Sequence, residues 1–284
     1  MRAIIICFIS IFVLSACSPA SVENGGNNPG NDFAVDLLQD FKSYIAAAED
    51  PTEVKEYLDT LMAEGNAAIA FKTETADALV LEYLSYLETV LSLDQSDLAS
   101  YPEEASFKPA TGEGGFFPVI DYHFIDAYSG RVSQEITEYA RFMSLDSDKP
   151  WAFDAGIVIP IRELVDRIAQ AEQFITNYPD FLLKDQVLAQ YERYLTAFLA
   201  GLPNTPLFPY GTCQADHEFI DASDYFMETY PSLVTAETIG SYQEELEQMN
   251  YTAPYTYSEY EKQAEFSDHI YKLVNNTVGR LNVV

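Results

Sequence analysis

The chain has 284 residues, with 45 Asp and Glu against 15 Lys and Arg, and carries a formal charge of −30 at pH 7. Nucleic acid and anionic lipid headgroups reward clustered Lys and Arg, so no nucleic-acid partner is expected. A hydrophobic fraction of 48%, with 20 Tyr and 18 Phe, supplies a core of ordinary size.

Met1 and Arg2 form a minimal positive start, followed by the uncharged apolar run "AIIICFISIFVL" over residues 3–14. That length suits the core of a signal peptide, whereas a bilayer-spanning helix needs about 20 residues. Small residues then lead into a cysteine, and Leu14-Ser15-Ala16-Cys17 resembles the lipobox of bacterial lipoproteins. The resemblance implies diacylglyceryl transfer to the Cys17 thiol, cleavage before Cys17 and acylation of the new N-terminus. Residues 1–16 are then a signal peptide, and the chain is held on the outer side of a bacterial membrane. Two or three acyl chains anchor stably where one does not, at about 0.8 kcal/mol per buried CH₂. In bacteria with two membranes, Ser18 after the cysteine resembles the pattern sorted to the outer membrane.

Residues 18–32 contain three glycines, two prolines and four asparagines, and only Val22 is an aliphatic residue larger than alanine. Burial cannot offset the ordering entropy of such a segment. Residues 17–32 are therefore expected to be the lipidated cysteine and a flexible tether with a reach of roughly 20 Å. Residues 33–284 are expected to form a mostly helical extracytoplasmic domain. With Cys7 lost in the signal and Cys17 acylated, Cys213 is left as the one free thiol, which allows no internal disulfide.

The domain reads as helix after helix, an all-α fold of eight or nine helices in a single bundle or irregular array. Helical spacing starts at Phe33, and a second helix starts at Asp50-Pro51-Thr52-Glu53, with Asp as cap and Pro in first position. Gly65 is expected just past its end, in a left-handed conformation. A third helix over about 77–93 is apolar enough to be central. Residues 94–131, with three prolines and four glycines, predict one long irregular loop, with room for a short helix or strand near 119–128. Further helices follow over 132–145, from Pro160 to Tyr178, from about Val187 to Leu199 with Gly201 and Pro203 as the stop, over 217–229 and over 236–249. Ser258 and Glu261 predict a capping box for the last, ending near Val274. "FITNYPD" at 174 recurs as "FMETYPS" at 226, each at a helix end. A Tyr-Pro helix end before a new helix resembles the tetratricopeptide-like lipoproteins of envelope assembly, although their small-residue pattern is absent; coincidence of two helix ends is the simpler expectation.

The most suggestive region for function is "GEGGFFPVIDYHFIDAY" together with "DSDKPWAFDAG". Phe116, Phe117, Asp121, Tyr122, His123, Asp126 and Trp151 combine aromatic faces with carboxylates, a chemistry that holds a sugar or an organic cation. The structural alternative is a long loop pinned to the helices by its aromatics. His123-x-x-Asp126 is similar to the His-x-x-Glu of imelysin-like helical envelope proteins, with Asp for Glu and no glycine lead-in, which implies a shared site for the two. Asp146, Asp148 and Asp154 could supply calcium oxygens but lack EF-hand spacing, and no cofactor is otherwise expected. Cys213, Asp216, His217 and Glu218 do not make a zinc signature. Tyr251, Tyr255, Tyr257 and Tyr260 could form a partner surface or pack a loop onto the bundle.

No phosphate loop, nucleophile elbow or His-Glu-x-x-His motif is present. The expectation is a non-enzymatic binding or adaptor module of the cell envelope, taking a small molecule, a glycan or an envelope protein. The alternative is a carboxylate-dependent cell-envelope hydrolase, for which Glu113 is the candidate acid.

Overall fold

The computed structural model describes residues 29–65, 71–93, 101–112, 115–256 and 258–282. Cys17, the apolar leader, most of the expected tether, Glu113 and Tyr257 lie outside the described residues. Within them the fold is all-α. Its nine α-helices are α1 Pro29–Ala47, α2 Pro51–Gly65, α3 Thr73–Ser92, α4 Gln134–Asp148, α5 Ile161–Asn177, α6 Lys184–Ala200, α7 His217–Thr229, α8 Val234–Gln248 and α9 Tyr260–Leu281. The strands form three antiparallel hairpins: β1 Phe107–Gly112 with β2 Gly115–Ile120, β3 Ala152–Phe153 with β4 Gly156–Ile157, and β5 Gly201–Leu202 with β6 Thr205–Pro206. Among the described residues no helix is long and apolar enough to cross a membrane.

Helix α1 begins at Pro29, inside the segment assigned to the tether. A first-turn proline costs a helix little, because its missing N–H would be unsatisfied there anyway. At α2 the Asp50 carboxylate accepts the Thr52 N–H at 2.8 Å, as the sequence predicts. Gly65 is the last residue of that helix, not a left-handed cap. A Cβ there would lie 2.4 Å from the Phe71 ring, so close approach is what requires glycine. Helix α3 is buried along Leu79, Val80, Tyr83, Leu84 and Leu87 and occupies the centre of the N-terminal half. The Tyr83 hydroxyl donates to the Ala105 carbonyl at 2.9 Å, which satisfies a polar group that packing has taken from water.

The expected loop over 94–131 is largely structured. Short 3₁₀ segments, Glu103–Ala105 and Tyr122–Tyr128, flank the β1–β2 hairpin, whose register runs from Phe107↔Ile120 to Gly112↔Gly115. Pro109 faces Pro118 across it. Proline cannot donate to a ladder, but both strands of an isolated hairpin are edges, so each has a side where a donor is not needed.

In the C-terminal half, α5 buries Ile161, Leu164, Val165, Ile168 and Ala171 and packs on α6 and α7, while α6 also meets α9. Gly201 stops α6 at φ +74, where a Cβ would sit 2.3 Å from the Leu207 nitrogen. The repeated Tyr-Pro ends are the same local structure. Tyr178 and Tyr230 cap α5 and α7, donating their N–H to Phe174 and Phe226 at 2.9 and 2.8 Å. Their rings lie 5.0 and 5.2 Å from those phenylalanines. The expected Ser258 capping box does not form. Glu259 occupies the cap position of α9 without a side-chain bond into the helix; its carboxylate instead accepts the Thr256 N–H upstream at 2.7 Å, and the helix runs on to Leu281 because Thr277, Val278 and Leu281 are buried.

Candidate functional site at the base of the hairpin

Three elements meet where the β1–β2 hairpin joins the body. Lys108 comes from β1, Asp121, His123 and Asp126 from the turn and 3₁₀ segment after β2, and Asp148 is the last residue of α4. Lys108 Nζ lies 3.3 Å from Asp121 Oδ1 and also forms an ion pair with Asp148. His123 bridges two acids, with Nε2 3.0 Å from Asp148 Oδ2 and Nδ1 3.3 Å from Asp126 Oδ2. The hydrogen bond to Asp148 raises the His123 pKa, partial burial opposes it, and Asp126 adds to the rise. Partial burial pushes Asp148 up, but the hydrogen bonds from Lys108 and His123 outweigh it and hold this carboxyl below its ordinary value.

Asp121, His123 and Asp148 each offer one ligand atom within 4.8 Å of the others, the separation a metal ion requires. These are the residues that would hold one. The Lys108 ammonium already sits between both carboxylates and offsets half of their charge, so a cation would have to compete with it. As it stands, the cluster fastens the hairpin to the end of α4.

The residues picked out by sequence separate into three environments. Asp121, His123, Asp126 and Asp148 are brought together. Tyr122 is buried, edge-on to Tyr139 at 6.1 Å, and Trp151 is half-buried, edge-on to Tyr194 at 5.5 Å. Both rings serve packing. Phe116 and Phe117 stand on the outer half of β2, 64% and 45% exposed. Phe116 and Phe117 are thus a projecting pair, while Tyr122 and Trp151 are turned to the body.

The calcium trio also separates. Asp146 turns inward from α4, its Oδ1 taking Arg167 at 2.7 Å and Tyr194 at 2.5 Å and its Oδ2 taking Gln190 at 2.6 Å. Residues two apart on a helix face different ways, so Asp148 reaches Lys108 while Asp146 reaches the core. Asp154 sits at φ +47 in the β3–β4 turn, where its carbonyl accepts from Asn204. At α7, Asp216 is a helix cap, accepting the Glu218 N–H at 2.9 Å.

Lys108, Arg167 and Glu172 were not marked by any motif. Each works through a partner far away in sequence, which local spacing does not reveal. No protein-family model, curated protein or solved structure matches the chain.

Proposed function

We propose that the chain is a lipid-anchored, non-enzymatic adaptor of a bacterial cell envelope, tethered through Cys17, whose β1–β2 hairpin inserts into an apolar groove of an envelope protein. The observation that carries this reading is the exposure of Phe116 and Phe117 at consecutive positions of β2. Consecutive strand residues point to opposite faces, so one sugar ring or small molecule covers only one of them. Burying both takes a groove that closes around the tip. The ion cluster of Lys108, Asp148 and His123 holds the hairpin base, which lowers the ordering entropy that docking would cost. A chain with charge −30 favours a partner whose groove has a basic rim.

The test is a photo-reactive residue placed at Phe117 in cells, with the exposed Leu182 as the control position. One discrete adduct with an envelope protein, formed from position 117 and not from 182, supports the adaptor. Identical adduct patterns from both positions, or none from 117, count against it.

A further inference from the structure

Helices α8 and α9 and the connection between them border an open cleft of about 390 Å³ lined by Tyr242, Glu245, Met249, Glu265, Phe266 and His269, among others. We propose that it binds a small amphipathic amine, an apolar ring system bearing one protonated nitrogen.

The inner lining is apolar. Tyr242 and Phe266 are almost fully buried, and Phe266 is braced by Phe208 at 5.8 Å and Tyr255 at 5.5 Å. The Tyr242 hydroxyl donates to the Leu199 carbonyl at 2.9 Å, so that polar group is satisfied away from the cleft. Apolar lining with a few convergent polar groups is the ordinary make-up of a small-molecule site.

The polar groups favour a cation. His269 Nε2 meets Glu245 Oε2 at 2.7 Å, which leaves the other Glu245 oxygen available. Glu265 makes no hydrogen bond or ion pair among the described residues, although it lines the same cleft. The one lysine of the lining, Lys262, is held by Glu259 at 2.6 Å. The rim thus offers carboxylate acceptors whose neighbouring ammonium, Lys262, is bonded to Glu259 and acts on Glu265 only at longer range, on a chain whose net charge of −30 favours cations.

The wall formed by the connection is fixed in place. Asn250 and Tyr251 are successive non-glycine residues at φ +50 and +55. Such a conformation is strained and persists only where its surroundings over-determine it. Here they do: Tyr251 donates to Leu246 at 2.7 Å, Ala215 donates to Tyr251 at 2.8 Å and Ala253 donates to Cys213 at 2.7 Å. This pairing carries the chain over the end of α8 to Pro254, which forms part of the cleft.

The experiment is calorimetric titration of the full chain with tryptamine and, separately, with indoleacetate, which has a similar ring and the opposite charge. The expected result is one-to-one binding of the amine and none of the acid. Glu265→Gln should weaken the amine about five-fold, the upper value of a partly exposed charge pair. Met249→Trp should abolish binding by filling the cleft, with circular dichroism confirming the fold of both variants. Equal affinity for amine and acid, no binding of the amine, or amine binding unchanged in both variants would each overturn the proposal.

Discussion

Glu172, buried in α5, holds Thr235 at the first turn of α8: its Oε2 accepts the Thr235 N–H at 3.0 Å and the Thr235 hydroxyl at 2.5 Å. Its Oε1 takes the Val234 N–H at 2.5 Å. A carboxylate is thereby used as the cap of another helix, where unpaired N–H groups and the helix dipole favour negative charge. Glu172→Gln places an amide donor among these donors. We expect it to lower unfolding free energy by about 2 kcal/mol, and Glu172→Ala by somewhat more. Urea titration of the variants measures this directly, and midpoints equal to the parent's would remove the capping role.

Arg167 is almost fully buried, with Asp146 on Nη1 and Glu163 on Nη2, each at 2.7 Å. Breaking one side of a buried pair leaves a charge uncompensated, at a cost of about 3 to 5 kcal/mol. Asp146→Ala should fall near the lower end, because Glu163 remains. The same substitution at Asp154, on an exposed turn, should be near neutral in the same denaturation experiment.

The hairpin cluster makes a pH prediction. His123 is raised, so its contribution is complete below its unfolded value of about 6.5 and disappears as pH rises through the folded value. Asp148 is lowered, so its contribution is present above about 4 and disappears as pH falls through its folded value. The cluster is therefore strongest between those limits. Both side chains are about half exposed, so solvent screening keeps each contribution below about 1 kcal/mol. Denaturation midpoints of the parent should fall between mildly acidic and mildly alkaline pH relative to His123→Ala. Parallel curves would show that the histidine contributes nothing.

Gly201 combines a left-handed φ with a backbone nitrogen where a side chain would begin. Gly201→Ala should cost about 2 kcal/mol or more, whereas Ala at Gly211, also left-handed but with open space around it, should cost less. Thermal melting of the two variants side by side separates steric contact from backbone strain.

Much of the helical order was legible, because apolar periodicity and stop signals are local. The α7 bounds, the Asp50-Pro51 start and the Gly201 stop can each be read from a few neighbouring residues. The β1–β2 hairpin was not, because Pro109 and Pro118 in its strands carry the signature of a loop. The site was legible in part. His123 and Asp126 sit together as their spacing suggests, but Lys108 meets Asp148 across 40 positions, and only the fold brings them into contact. Trp151 makes a similar case, since its edge-on contact with Tyr194 joins residues 43 positions apart that only the fold brings together.

The central claim is a tethered module that presents its hairpin to a partner, and the most direct measurement is membrane fractionation of cells carrying the parent, Cys17→Ser, or Phe116→Ser with Phe117→Ser. The account predicts that Cys17→Ser moves the protein to the soluble fraction while the double hairpin variant stays with the membrane. Retention of Cys17→Ser in the membrane, or release of the hairpin variant, would contradict it.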